Sequence, residues 1–223
     1  MLKHLAIIPD GNRRYAKKTK TPVEKVYGNS IKKVFDIAGW CMELKIKTLT
    51  IWGFSTENWK RSETEKKILF KLFEGKSREI LGDERIIKNG IKVKIIGDAK
   101  KFSKSLQILF REIENKTGKN NKLTLNILLN YGGRNEIISA VNSLLTEKKK
   151  KIGEKDFKKY LWLKEEPDLI IRTSGEQRLS GLLPFQSAYS ELFFTKKFFP
   201  ELTKREFCKI VEEYNQRERR FGK

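Results

Sequence analysis

The 223-residue chain is of single-domain length and carries 49 Lys and Arg against 28 Asp and Glu, a net charge of +21. Hydrophobic residues make up 38% of it, with 14 Phe and 4 Trp, which supplies a sizeable core and excludes wholesale disorder. One histidine (His4) and two cysteines (Cys41, Cys208) exclude most zinc sites and any disulfide framework, and they argue against a Ser-His-Asp or Cys-His triad.

In chain order, residues 5–9 are a predicted strand, and a helix begins near Asn12. The apolar run at the N-terminus meets Asp10 and Asn12 at once, so it reads as a buried first strand and not as a signal peptide. Residues 29–44 are helical, with Ile31, Val34, Phe35, Ala38 and Met42 at helical spacing, and residues 47–54 form a second strand. Ser62 caps a helix to about residue 81, with Glu63 and Glu65 in its first turn. A third strand at 91–96 ends at Gly97-Asp98, and a helix spans about 103–116. The fourth strand, 123–129, is broken by Asn130-Tyr131-Gly132-Gly133 before a helix over 134–150. A short helix at 156–163, a fifth strand at 168–172, a short sixth strand at 192–194 and a helix from Thr203 to about 221 complete the chain.

Strands alternating with helices predict one α/β domain over 1–223, built on a mostly parallel sheet of about six strands flanked by helices. In such sheets the ligand site lies beyond the carboxyl ends of the strands. Three polar clusters follow strands, at 10–14, 55–61 and 172–180, and these are the expected site. No stretch approaches the ~18 apolar residues of a membrane span. With two unpatterned cysteines, the expectation is a soluble, cytoplasmic protein.

Asp10-Gly11-Asn12-Arg13-Arg14 opens a helix, where free backbone N–H groups bind phosphate and the two arginines add charge-assisted bonds. A carboxylate within a phosphate cradle makes sense beside a cation, and Mg²⁺ is the hard ion that carboxylate and phosphate oxygens hold. The plainer alternative is an N-cap Asp with exposed arginines. Ser55, Thr56, Glu57, Asn58, Trp59 and Arg61 crowd hydroxyls, an amide and charges into seven positions; the alternative is a polar loop with Trp59 packed on the core. Arg172, Thr173, Ser174, Glu176, Arg178 and Ser180 form a second oxyanion cradle, unless Arg172 merely pairs with Glu176 on the surface. Glu191 lies in apolar surroundings, so it needs a partner or a metal. The inventory suits two anionic substrates and Mg²⁺, with no nucleophile paired to a base.

The segments HLAIIPDGNRRYAKK, TLTIWGFSTENWKRS, IIGD, LTLNILLNYGGRNEI, PDLIIRTSGEQRLSGLLPFQSAYSELFF and RERRFG resemble, in order and over nearly the whole chain, the cis-prenyltransferases, above all bacterial undecaprenyl diphosphate synthases. The resemblance implies a catalytic, Mg²⁺-binding Asp10. It implies an allylic diphosphate cradle at Gly11, Asn12, Arg13 and Arg14, with Tyr15 where Trp is usual. Ser55, Thr56, Glu57, Trp59 and Arg61 match substrate contacts, and Asn58 matches a residue proposed as proton acceptor. Arg172, Arg178 and Ser180 match the isopentenyl diphosphate site, and Glu191 a second metal carboxylate. The family's Gly-His pair reads Gly28-Asn29 here, and the basic residue four positions earlier is Lys25. The RERRFG end matches a motif that lies near the partner's site in the family homodimer.

What the resemblance implies is a Mg²⁺-dependent 1′-4 condensation of isopentenyl diphosphate with an allylic diphosphate such as farnesyl diphosphate. The product is a long cis-polyprenyl diphosphate, expected to be undecaprenyl diphosphate, a lipid-carrier precursor, and a shorter-chain synthase is the alternative. A hydrophobic product tunnel is implied too, yet Trp40, Ile68, Leu69, Leu72, Phe73, Ile80 and Leu81 suit an ordinary core equally well. Asn58 is a poor base, since a neutral amide hardly accepts a proton, so it is expected to orient Asp10 or a diphosphate oxygen. With a lipid product, the enzyme is expected to work near the inner face of a membrane, where its lysines would meet anionic lipid. The charge of +21 also suits a nucleic-acid binder, but no such motif occurs and the arginines cluster after strands, so no nucleic acid partner is expected. A non-catalytic subunit would not need Asp10, Asn58, Arg172, Arg178 and Glu191 together.

Overall fold

Five short apolar runs and a sixth edge strand assemble into one sheet in the computed structural model, which describes residues 1–82, 89–149 and 151–218. The strands are β1 (His4–Ile8), β2 (Thr48–Ser55), β3 (Ile91–Ile96), β4 (Leu123–Tyr131), β5 (Leu169–Arg172) and β6 (Glu191–Phe194). They lie in the order β3-β4-β2-β1-β5-β6, and every neighbouring pair is parallel. Seven α-helices among the described residues flank the sheet: α1 (Asn12–Thr19), α2 (Val23–Glu43), α3 (Glu63–Gly82), α4 (Lys104–Thr117), α5 (Gly133–Thr146), α6 (Glu154–Lys158) and α7 (Lys204–Gln216).

Period-two alternation divides the strand side chains between the two faces of the sheet. Leu5, Ile7, Leu49, Ile51, Leu169 and Ile171 pack in one core with Ile37, Ala38 and Cys41 of α2 and Phe207 and Ile210 of α7. Ala6, Ile8, Leu128 and Ile170 point the other way, onto Leu163, Leu182 and Leu183. Both faces are covered, which is why these strands read as nearly continuous apolar runs. A third cluster, with Phe54, Leu69, Phe102, Leu106 and Phe110, fills the space between the sheet, α3 and α4. His4 belongs to this scaffold: it is 5% exposed, with Nε2 against Thr50 Oγ1 at 2.8 Å and Nδ1 against the Glu166 carbonyl at 2.9 Å. Burial pushes its pKa below the ordinary value.

Several predicted boundaries move. Helix α2 starts at Val23 and not at 29, because Pro22 sits at the N-cap and Gly28 is carried inside the helix. Part of the expected loop at 55–61 is a 3₁₀ turn, Thr56–Lys60. Helix α5 stops at Thr146, before Lys148 turns to φ +55°, and Lys150 lies outside the described residues. The helix expected over 156–163 is only Glu154–Lys158, since Leu161 and Leu163 are drawn into the core beyond it. Helix α7 ends at Gln216; its expected end at 221, and most of the RERRFG segment, lie outside the described residues. No helix among the described residues is long and apolar enough to cross a membrane.

From β1 the chain moves to β2 on one side, whereas β5 passes to β6 on the other. The crevice opened by that divergence lies between the carboxyl ends of β1 and β5, where Asp10 and Arg172 stand.

Candidate active site

Gly11 has φ +99°, a conformation open to glycine and strained for other residues. A Cβ there would come within 2.5 Å of Phe198 Cδ1 and 2.7 Å of Ser174 Cβ, so the backbone of the turn lies directly on the 173–198 region. The Gly11 N–H donates to Asp10 Oδ1 at 2.6 Å, and Arg172 Nη2 donates to Asp10 Oδ2 at 2.9 Å. No side chain caps the start of α1. Asn12 braces the turn instead: its Nδ2 donates to the Pro9 carbonyl at 3.0 Å and its Oδ1 accepts from Ser30 Oγ at 2.6 Å. Arg14 Nη1 donates to Glu176 at 2.8 Å and its Nη2 to Ser174 Oγ. Arg13 is exposed, 3.9 Å from Glu65, and Tyr15 packs edge-on against Phe198.

The second cradle meets the first across this crevice. Arg172 is almost wholly buried; its Nη1 donates to Ser180 Oγ at 2.8 Å and to the Arg178 carbonyl. Its acidic partner is therefore Asp10 and not Glu176, as the surface-pair alternative had it. Glu176 joins the cradles by pairing with both Arg178 and Arg14, whose hydrogen bonds hold its carboxyl below the ordinary range. Thr173 Oγ1 donates to the Asp10 carbonyl at 2.8 Å. Ser180 and Gly181 reach the cleft through left-handed backbone, φ +52° and +91°.

At the end of β2, the Ser55 N–H donates to Asn58 Oδ1 at 3.1 Å. A backbone N–H can only donate, so this contact sets the amide: oxygen toward Ser55, with the NH₂ left to the cleft that Asn58 lines. Glu57 is exposed at the same wall, and Thr56 lies over Gly132. Arg61 contacts Tyr27 Oη at 3.2 Å and Glu65 at 3.1 Å, while the Tyr27 hydroxyl donates to Glu65 at 2.6 Å. Burial, reinforced by that bond, raises the Tyr27 pKa well above its usual value. Trp59 turns away: its Nε1 donates to Asn130 Oδ1 at 2.7 Å and its ring packs with Phe54, Phe70 and Phe102.

All of this opens onto a cleft of about 780 Å³. Its mouth is polar, with Asp10, Asn12, Glu57, Asn58, Arg172 and Ser180. Its inner end is apolar, walled by Val34 and Phe35 of α2, Leu69 and Phe73 of α3, Phe110 of α4 and Ile127 of β4. Of the apolar positions that sequence left open, Leu69, Phe73 and Ile80 line it, whereas Trp40, Ile68, Leu72 and Leu81 pack into the cores. Sequence reasoning passed over Tyr27, Ser30, Arg134 and Asn135, which also line the cleft. The signal was there: Arg134 and Asn135 follow the carboxyl end of β4, and Tyr27, Ser30, Ile31 and Val34 share one helical face.

Not every expected residue lines the cleft: Gly11, Arg13, Arg14, Tyr15, Thr56 and Arg178 are not among its lining residues, Trp59 packs into the core, and Lys25, Asn29 and Glu191 are held elsewhere. Lys25 and Asn29 are exposed on α2 and are not among its lining residues. Glu191 opens β6 beside Leu169, three residues before the Arg172 level, so it stands about 10 Å back along the strand direction. The partner it required is Arg217, whose Nη1 donates to Glu191 Oε2 at 2.6 Å. Among the described residues no group of three His, Cys, Asp or Glu side chains could hold a metal by itself. Asp10 alone still fits Mg²⁺, which commonly takes one or two carboxylates and completes its shell with substrate phosphates and water.

A family model described as "Putative undecaprenyl diphosphate synthase" matches residues 8–222. The tritrans,polycis-undecaprenyl-diphosphate synthase (geranylgeranyl-diphosphate specific) of Pyrococcus abyssi is 44% identical over 99% of this chain and 87% of its own. An isoprenyl transferase of Thermotoga maritima is 44% identical over 98% and 96%. A crystal structure of lavandulyl diphosphate synthase from Lavandula x intermedia, in complex with dimethylallyl diphosphate, superimposes with a TM-score of 0.93 at 29% identity, covering 100% of this chain and 98% of that one. With a polar crevice at the β1/β5 switch point, an apolar cavity behind it and these relatives over nearly its whole length, the chain belongs to the undecaprenyl diphosphate synthase family of cis-prenyltransferases.

Proposed function

We propose that the protein condenses isopentenyl diphosphate with an allylic primer, repeatedly, to give a cis-polyprenyl diphosphate of undecaprenyl type. The observation that carries this reading is the continuity of two oxyanion cradles with one apolar cavity: charged heads stay at the mouth while a hydrocarbon tail fills the interior. An allylic diphosphate, with a charged head and an apolar prenyl tail, is the ligand class that such a cleft suits, and farnesyl and geranylgeranyl diphosphate are the candidate primers. The Pyrococcus relative's name supports the longer primer and the undecaprenyl product.

In this reading the primer's diphosphate lies on Gly11, the start of α1, Arg13 and Arg14. Isopentenyl diphosphate lies on Arg172, Arg178 and Ser180. The allylic C–O bond breaks as diphosphate leaves, C1′ joins C4 of isopentenyl diphosphate, and a proton leaves C2 to form the cis double bond. Bound Mg²⁺ on Asp10 would neutralise charge on the departing diphosphate. Arg13 and Arg14 supply positive charge to the same oxygens, while Arg172 holds the isopentenyl diphosphate beside them. Asn58, with its oxygen committed to Ser55, offers a donor and not a base, so it orients a diphosphate oxygen while that oxygen or Asp10 takes the proton. The apolar stripe of Ile138, Val141 and Leu145, exposed on α5, supports a homodimer. A polyprenyl product would be delivered from the cytoplasmic side to the membrane.

The test combines the protein with farnesyl or geranylgeranyl diphosphate, labelled isopentenyl diphosphate and Mg²⁺, with an EDTA control. A metal-dependent ladder ending at one long product supports the reading. Absence of extension from either primer by folded protein overturns it, and the terminating length reports the product class.

A further inference from the structure

Glu136 carries a carboxylate that the condensation does not use, yet the side chain is fully buried, at 0% exposure. It sits in the first turn of α5, where the helix dipole favours negative charge. Three other segments converge on it. Tyr131, at the end of β4, donates its hydroxyl to Oε2; the Leu163 N–H, from the segment before β5, donates to Oε1 at 2.9 Å; and Gln186 Nε2 donates to Oε2 at 3.1 Å. Gln186 Nε2 also donates to the Leu163 carbonyl at 2.7 Å. Every group facing the two oxygens is a donor, so the pocket is built for an acceptor-only carboxylate; a neutral amide would turn its own NH₂ against one of those donors.

The segment held in this way is the one that carries the second cradle. Between Arg178 and Gln186 the backbone takes left-handed conformations at Ser180, Gly181 and Leu183, which other interactions must hold in place. It lies on the start of α5: the Gly133 N–H donates to the Gly181 carbonyl at 3.0 Å, and a Cβ on Gly133 would overlap Gly181 O and Pro184. Leu182 and Leu183 are buried beneath it. Ser180, Gly181, Arg134 and Asn135 all face the cleft from this junction.

We propose that Glu136 is a positioning residue for the second diphosphate cradle: its buried carboxylate, through Gln186 and Leu163, pins the 178–186 segment onto the first turn of α5 and so sets Ser180 and Arg134 at the cleft. The proposal rests on the assignment of isopentenyl diphosphate to that cradle. It separates the two substrates, because among the described residues no hydrogen bond or ion pair joins the Gly11 turn or α1 to Glu136, and Asp10, Thr173 and Ser30 hold them instead.

The experiment compares wild type with Glu136→Gln, Gln186→Leu and the milder Tyr131→Phe, measuring steady-state kinetics for each substrate and amide hydrogen exchange along the chain. The expected result for Glu136→Gln is a rise of about tenfold or more in KM for isopentenyl diphosphate, with kcat and the primer KM within about threefold. Exchange should quicken at 179–187 while α2 and α7 keep their protection. Tyr131→Phe, which removes one donor, should move the same KM about two- to threefold. Unchanged KM with unchanged exchange in folded Glu136→Gln overturns the proposal, and so does an equal worsening of both KM values with protection lost throughout. If Glu136→Gln does not fold, the other two variants decide by the same split. A wild type without turnover would instead defeat the assigned function; exchange at 179–187, with and without inorganic pyrophosphate, then decides on Glu136 alone.

Discussion

The two ends of the cleft are built by different physics. At the mouth, geometry is over-determined by directional contacts: a left-handed Gly11, the Asp10–Arg172 and Arg14–Glu176 pairs, and left-handed Ser180 and Gly181. At the inner end, volume and packing set the position of Val34, Leu69 and Phe73, whereas Phe35 also has a charged neighbour, with Lys76 Nζ 4.6 Å from its ring centroid. A wall of this kind tolerates substitution and changes capacity, whereas the mouth tolerates almost none and governs rate.

That contrast makes graded predictions. Asp10→Asn should have the largest effect, a loss of about 10³-fold in kcat, because charge stabilisation at the departing diphosphate goes with it. Single-turnover measurement separates this from any loss of Tm caused by leaving buried Arg172 less well compensated. Next, Gly11→Ala should cost about 2–4 kcal/mol of stability, from a φ of +99° and from overlap with Phe198 and Ser174, read by urea denaturation. Asn58→Asp should lower kcat about 10–100-fold, since the amide donor is lost and a like charge joins Asp10 and Glu57. Full rate with an unchanged pH profile would show that Asn58 does not act as a donor. At the inner end, Phe73→Ala should leave the first condensation within about threefold of wild type and lengthen the terminal product. Its stability cost should stay below about 2 kcal/mol, because the ring already borders a cavity.

The smallest effect lies away from the cleft. Burial keeps His4 neutral below its ordinary value of 6.5, while the unfolded imidazole gains a proton as the pH falls past that value. The unfolded state then binds more protons, so stability should decline from pH 7 toward pH 5, and His4→Gln should flatten that slope. Urea midpoints across this range, with activity followed in parallel, distinguish a scaffold residue from one at the mouth.

Much of the site was legible in sequence because strand ends in a parallel sheet all point one way. The clusters at Asp10, Ser55 and Arg172 each follow a carboxyl end, and the sheet brings them to one crevice. Glu191 broke that logic. Its helpful motif, a carboxylate among apolar residues, stands at the amino end of β6 and meets Arg217, because a motif carries no information on which end of a strand faces the ligand. Trp59 and Phe73 show the same limit: both are aromatic at helical or turn positions, yet one fills the core and the other walls the cavity.

By itself the sequence determined the alternation of strands and helices, the burial of both sheet faces, the glycine needed at residue 11 and the collection of anion-binding side chains after the strands. Those features depend on local backbone preference and on the periodicity of apolar residues, which a linear chain carries openly. The tertiary structure decided which apolar residues enclose empty space, which way the Asn58 amide points, that Asp10 and not Glu176 neutralises Arg172, and that Glu136 ties four segments together. Each of these rests on partners tens of residues or more away, or on the shape left between packed elements. Periodicity reports that a side chain is buried, and only the assembled fold determines what it is buried against.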